Sequence, residues 1–185
     1  MAPDEDIVRK VREGAPEAFG ELMQRYEPKL RRYGRQFLSD ADAIDDVVQE
    51  SFIKAYTNMK SFDLQQRFSP WMYRIAHNTF VNALRSKSRS KIFSTDLDTL
   101  IPQAVTEGET EREWDERDVR AAIDQGLAKL PLKSREVLVL YYLEGLSYQE
   151  IADVLACPVG TVGVRLSRAR TLLRPYLAPH LHESL

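Results

Sequence analysis

The chain has 185 residues, with 26 lysines and arginines against 28 aspartates and glutamates, for a formal net charge of −2. Hydrophobic residues make up 43% and charged residues 29%, a composition that folds into one domain or two small ones and excludes a disordered chain. The longest apolar run, Val137 to Leu143, falls far short of the roughly 20 residues of a membrane span, so no membrane insertion is expected.

Cys157 is the single cysteine and leaves no internal disulfide. The opening MAPDEDIVRK has no apolar signal segment, and the expected compartment is the cytoplasm. Charge comes in blocks. Residues 24–91 hold 13 basic and 7 acidic side chains, residues 92–118 hold 2 and 9, and residues 119–178 hold 8 and 5. Two basic blocks thus flank an acidic stretch of low hydrophobicity that reads as a flexible linker. A near-neutral total does not argue against a polyanionic partner, because binding answers to local patches; basic faces that are merely solvated are the plain alternative.

The apolar periodicity is helical nearly throughout and no segment alternates as a strand does, so the expected fold is all-α, with two small helical domains. From Glu17 to Leu38, apolar residues recur at helical spacing through Phe19, Leu22, Tyr26, Leu30, Tyr33 and Phe37, with Pro28 expected to kink or split the helix. Asp40 and Asp42 offer N-caps to a second amphipathic helix whose apolar set runs from Ala43 through Phe52, Ile53 and Tyr56, ending near Met59. A polar loop over residues 61–69 follows, bracketed by Phe62 and Phe68. Ser69-Pro70 then predicts a helix start, with Ser as cap and Pro at the first helical position. That helix carries Trp71, Met72, Ile75, Ala76, Phe80, Val81 and Leu84 and runs into RSKSRSK.

The second basic block is more specific. Ser134 to Leu143 predicts one helix, broken by Gly145. Ser147 and Glu150 form a capping box for SYQEIADVL, Ala156-Cys157-Pro158 is a tight turn, and a third helix runs from Val159 to about Arg174. This is the helix-turn-helix pattern. At roughly 100° per residue, Leu166, Ala169 and Leu173 share the core face of Val162, while Gly160, Val164, Ser167, Arg168 and Thr171 lie opposite, where a major groove would be read. Arg165 and Arg170 sit on the flanks, suited to phosphates.

The segments DAIDDVVQESFIKAY and SPWMYRIAHNTFVNALR resemble region 2 of the sigma-70 family, in its small extracytoplasmic-function class. LPLKSREVLVLYYLEGLSYQEIADVLACPVGTVGVRLSRAR resembles region 4 of the same class. The resemblance implies a region 2 domain over 1–91, a linker over 92–118, a region 4 domain over 119–178 and a tail over 179–185. It implies binding to core RNA polymerase, through its β′ coiled-coil and β subunit, to promoter DNA, and to an anti-sigma factor, with no cofactor or metal.

Residue by residue, it implies that Asp45, Asp46, Gln49 and Glu50 dock on the polymerase; Asp46, Gln49 and Glu50, three and four apart, share one helix face. Phe62, Asp63, Gln65, Gln66, Arg67 and Phe68 would form the loop that captures a base flipped from the minus-ten element, which needs stacking surface and polar edges. Aromatics at loop ends also serve simply as anchors. Trp71, Arg74, Asn78, Asn82, Arg85 and Lys87 would face the minus-ten DNA, with the i, i+4 pair Asn78 and Asn82 reading base edges and the arginines pairing phosphates. His77 between them reads as a packing or surface residue.

Thr161, Val164, Arg165, Ser167, Arg168 and Thr171 would contact the minus-thirty-five element. Here the chain departs from the family, which usually has a basic residue followed by Ser after Thr-Val; this chain has Gly163 and Val164, and Ala156 stands where a turn glycine is common. The acidic linker is expected to imitate RNA phosphates in the polymerase or to be a simple solvated tether. Gly-rich phosphate loops and H-E-x-x-H are absent from the sequence, and the His180/His182 pair has too few companions for a metal, so an enzyme is not expected. The alternatives are a helix-turn-helix regulator acting without polymerase, and a decoy that binds polymerase but never starts transcription.

Overall fold

The computed structural model describes residues 2–89 and 123–181, and for 88, 89 and 178–181 only the backbone. The linker assigned to 92–118 lies outside the described residues. Among those described there are helices and no strands.

The N-terminal lobe consists of α1 (Asp4–Arg12), α2 (Phe19–Gly34), α3 (Ala41–Thr57) and α4 (Phe68–Arg89). Helix α2 runs unbroken through Pro28, against the expectation of a kink or split. Leu22 and Tyr26 before the proline and Leu30 and Tyr33 after it are all buried on one face. At about 1.5–3 kcal/mol per large side chain, that burial offsets the roughly 3 kcal/mol that an interior proline costs. Asp40 caps α3 as expected, its carboxylate accepting from Asp42 N at 3.1 Å.

Tyr33 is the hub of this core, meeting Phe37, Tyr73 and Phe80 edge-on at 5.2, 5.4 and 6.3 Å between ring centres. Burial and the nearby carboxylate of Glu136 raise its phenol well above the usual value. Gly34 lets α2 approach α4: a Cβ there would lie 2.5 Å from Cζ of Phe80 and 3.0 Å from Cγ2 of Ile44. Helix α4 begins at Phe68, ahead of the predicted Ser69-Pro70 cap, because the Phe68 N–H donates to Oε1 of Glu5 at 2.8 Å.

The C-terminal lobe consists of α5 (123–128), α6 (Leu132–Leu138), α7 (Tyr148–Leu155) and α8 (Val159–Leu181). The expected single helix to Leu143 instead loosens into a π turn over Val139–Leu143, since the chain must reverse at Gly145, where φ is +64°. The capping box at α7 is complete: Ser147 Oγ accepts from Glu150 N, and Glu150 Oε2 accepts from Ser147 N. Ala156 takes the left-handed turn conformation at φ 49°. Helix α8 continues past the expected end near Arg174, and Leu173 and Leu177 prolong its apolar face along a groove shared with α5 and α6.

The lobes pack together through α4 and α7. Two arginines and a histidine of the first lobe meet carboxylates of the second. Arg32 Nη2 lies 2.5 Å from Oε1 of Glu144, Arg67 Nη1 lies 2.8 Å from Oε1 of Glu150, and His77 Nδ1 lies 3.8 Å from Oε2 of Glu136.

Candidate nucleic-acid and polymerase interfaces

Helix α3 presents Asp46, Gln49 and Glu50 to solvent, with Asp45 half-buried beside them. Asp45 is paired with Arg31 at 2.8 Å, and Glu50 with Lys54 at 2.6 Å. Next to them opens a groove of about 450 Å³, lined by Phe19, Met23, Val48, Gln49, Ile53 and Tyr56 among others. Ile53 and Tyr56, counted in the core stripe from the sequence, are 64% and 45% exposed. They belong to this surface and not to the core. Sequence reasoning found the acidic residues and missed their apolar companions. The available signal was a stripe wider than one face could bury. A charged rim around exposed apolar side chains has the anatomy of a protein-docking surface.

In the loop after α3, Phe62 and Phe68 are only 3% and 1% exposed. Their rings meet edge-on at 5.6 Å, and Trp71, half-buried, leans on both at 5.2 and 5.6 Å. Neither phenylalanine offers a face to a base; of the two readings of loop-end aromatics, their burial supports anchoring over stacking on DNA, and they form the loop's foundation. Asp63 shapes the loop, its Oδ1 accepting from Gln65 N at 2.9 Å and its carbonyl from Gln66 N at 3.0 Å. Gln65, Gln66 and Arg67 are left exposed at the tip.

Arg74, Asn78, Asn82, Arg85 and Lys87 are all exposed along α4, and the first three follow one another at i+4 to form a stripe. His77 is not in that stripe. It packs between Phe37, at 5.8 Å, and the hydroxyl of Tyr33, 3.0 Å from its Nδ1. Burial, with Arg165 and Arg85 adding to it, lowers its pKa to about 4, so the ring is neutral. A pocket of about 280 Å³ lies between the lobes, walled by Gln66, Arg67, Trp71 and Arg74 on one side and by Glu150 and Asp153 of α7 on the other. Burial raises the Glu150 pKa, but the Ser147 backbone and hydroxyl and the Arg67 guanidinium outweigh it and hold the carboxyl below the usual range.

In α8, Val162, Leu166 and Ala169 are fully buried and Leu173 is half-buried, as the helical angles predict. Val164 is 51% exposed, and Ser167, Arg168 and Thr171 stand with it on the solvent side. The Thr171 hydroxyl donates back to the Ser167 carbonyl at 3.2 Å. Thr161 is half-buried at the helix start. Arg165, expected at phosphates, is half-buried and lies 3.6 Å from Oε1 of Glu136. A Cβ on Gly163 would meet only Cε2 of Tyr148, at 3.7 Å. The partners that sequence reasoning missed are Glu136, Glu144 and Glu150, whose inter-lobe contacts carry no local signal.

Comparison with known proteins gives a family match on each lobe. Family models match residues 22–90 as "Sigma-70 region 2" and residues 120–173 as "Sigma-70, region 4". The chain is 35% identical over 176 residues to the ECF RNA polymerase sigma factor SigW of Bacillus subtilis, covering 92% of this chain and 94% of that protein. It is 36% identical over 187 residues to the RNA polymerase sigma-H factor of Pseudomonas aeruginosa, covering 98% and 97%. Among solved structures it is similar to CnrH in complex with the cytosolic domain of CnrY, with TM-score 0.67, 28% identity, and 95% and 97% of the two chains covered. It is also similar to the sigma factor RpoE in complex with the anti-sigma factor NepR from Bartonella quintana, with TM-score 0.67, 25% identity, and 86% and 96% covered. Two helical lobes in this order, each with its own exposed polar face, match these relatives over almost their whole length, and the chain belongs to the extracytoplasmic-function class of the sigma-70 family of RNA polymerase initiation factors.

Proposed function

We propose that the chain docks on core RNA polymerase through the α3 face, with Asp46, Gln49 and Glu50 against a basic coiled-coil of the β′ subunit and Met23, Ile53 and Tyr56 filling the adjacent groove. Gln65, Gln66 and Arg67 at the loop tip, Trp71 at the start of α4 and the stripe Arg74, Asn78 and Asn82, continued by Arg85 and Lys87, receive the minus-ten element. Val164, Ser167, Arg168 and Thr171 read the minus-thirty-five element, with Thr161 at its edge. On this reading residues 1–91 and 119–178 are the two working domains, residues 92–118 connect them and residues 179–185 are a tail. The factor acts in the cytoplasm and has no active site of its own, since bond formation belongs to the polymerase.

The observation that carries the proposal is the separation of two solvent-facing polar stripes, one on α4 and one on α8, each on the lobe whose sequence matches the corresponding region. Arg67 and Arg74 share their pocket with Glu150 and Asp153, and Arg165 faces Glu136. Promoter binding therefore requires the lobes to part. An anti-sigma partner that favours the closed arrangement would silence the factor by the same geometry, and the anti-sigma complex of the related RpoE supports such a partner.

The test is transcription by bacterial core polymerase on a pool of random promoters, with and without this protein, followed by sequencing of the transcripts. Selection of promoters with two spaced elements is the expected result. Core binding without transcription would turn the reading into that of a decoy. Failure to bind core, with tight binding of the free protein to DNA, would make it an independent regulator.

A further inference from the structure

Helix α1 lies ahead of residue 22, where the match to region 2 begins, and the surfaces described above leave it without a task. Two of its side chains hold the two ends of the minus-ten loop. The Arg12 guanidinium donates to the Met59 carbonyl from Nε and Nη2, at 2.9 and 2.7 Å, to the Lys60 carbonyl at 3.1 Å, and to the Phe62 carbonyl. These carbonyls lie at the exit from the 3₁₀ turn that follows α3, where the Phe62 N–H also donates to the Met59 carbonyl at 3.3 Å. Seven residues earlier on the same face, Glu5 accepts the Phe68 N–H at the entry to α4.

We propose that α1 is a clamp, with Arg12 and Glu5 as positioning residues, that fixes the loop of residues 62–68 in the shape that accepts a promoter base. The inference rests on the reading that this loop receives a base of the minus-ten element. Two helical turns, about 11 Å, separate the two grips, so α1 sets the span between loop exit and loop entry. The clamp is itself anchored. Ile7 and Val8 are fully buried, and Asp4 accepts from the Tyr26 hydroxyl at 2.6 Å and from Arg25 at 2.7 Å. Within the loop only Asp63 organises the backbone, so without the clamp its tip would sample several shapes. A base leaving the stack loses stacking energy, and a pocket formed in advance returns more of it than one that must be ordered on binding.

The chemistry of the two grips differs, and the test uses that difference. Nη2 meets all three carbonyls and stands one bond farther from the backbone than a lysine nitrogen does, so Arg12→Lys, which keeps the charge but falls short, behaves like Arg12→Ala. Glu5 needs only an acceptor, so Glu5→Gln retains function and Glu5→Ala does not. Full-length variants are assayed with core polymerase on a promoter library randomised across the minus-ten element, alongside core affinity and melting temperature.

The expected result is that Arg12→Lys and Glu5→Ala flatten the base preference at one promoter position by roughly tenfold, with Glu5→Gln and core affinity unchanged. A Gln65→Ala/Gln66→Ala double variant flattens the same position. If the double variant flattens that position and the α1 variants do not, the clamp is wrong and the loop reading stands. If the double variant leaves the preference intact, the loop reading falls and takes the clamp with it. Should Arg12→Ala prove unstable, the Glu5→Gln and Glu5→Ala pair still decides, because a general loss of stability would lower the melting temperature and core affinity of Glu5→Ala along with the base preference.

Discussion

In the C-terminal lobe, the contacts that set α8 in place span a few residues each. Ser147 and Glu150 cap α7, Ala156 turns the chain, and Thr161 N closes on the Pro158 carbonyl at 2.8 Å. In the N-terminal lobe, the loop of residues 62–68 is held from far along the chain, by Arg12 on the Met59 carbonyl 47 residues away and by Glu5 on Phe68, 63 residues away. A helix-turn-helix built from local bonds can accept a changed reading residue without losing its shape. A loop held at a distance depends on the packing of the whole lobe, and its shape is correspondingly exposed to substitutions far from it in the chain.

The longest-range contact that supports this comparison joins the lobes. Glu144 is 1% exposed in its side chain, and its cation is Arg32, which is 39% exposed. Arg32→Ala leaves a buried carboxylate unpaired and should cost the closed arrangement about 3 kcal/mol. Because parting of the lobes returns Glu144 to water, the loss should appear as opening and not as unfolding. Small-angle scattering should show a larger radius of gyration at an almost unchanged melting temperature. A compact particle that melts early would mean that the pair holds the fold itself.

Two glycines set the lobes against each other more sharply. Gly34→Ala forces a methyl group into the Phe80 ring at the crossing of α2 and α4 and should destabilise the chain by about 2 kcal/mol, read by urea unfolding. Gly163→Ala meets only an ordinary contact with Tyr148. It should add about 1 kcal/mol, because alanine is the better helix former. The opposite signs would be lost if α8 needed a glycine for some further contact, and a destabilised Gly163→Ala would show that. Between these two in size, Arg168→Ala should weaken binding to the preferred promoter by about 1.5 kcal/mol, the range for a side chain that reads a base edge. Unchanged binding would remove Arg168 from the reading face.

What the sequence makes legible follows the same division. The Ser147–Glu150 box, the Asp40 cap and the core face of α8 are written in neighbours two to seven residues apart, and the structure has them where the sequence pattern put them. The start of α4 is displaced because its cap is Glu5, which no local rule connects to Phe68. Pro28 fails to break α2 because burial on both sides outweighs its local cost. Phe62 and Phe68 are readable as loop ends that either stack on a base or anchor the loop, while their contact with Trp71 is not. The acidic face of α3 was visible as a cluster, but its exposed Ile53 and Tyr56 looked like core because apolar residues at helical spacing do not announce which stripe is covered.

The smallest expected effect is a pH dependence carried by His77, and its sign depends on which neighbours prevail. The ring faces the Tyr33 hydroxyl and Phe37 from its own lobe and Glu136 and Arg165 from the other, with Arg85 on its own helix. The Glu136 carboxylate favours a charged ring, but it is shared with Arg165, and burial together with two guanidiniums lowers the pKa to about 4. Between about 6.5 and 4 the unfolded chain therefore binds more protons at this site than the folded one, so stability is complete above about 6.5 and falls as the pH drops. Going from pH 7.5 to 6 should cost about 0.8 kcal/mol at this site, and His77→Gln should remove that increment from the urea midpoint while keeping a hydrogen-bond partner for Tyr33. A wild type whose stability rises on the same acidification would mean that the Glu136 carboxylate governs the ring after all, with the histidine charged at the interface and acting as a cation of the same kind as Arg32 and Arg67.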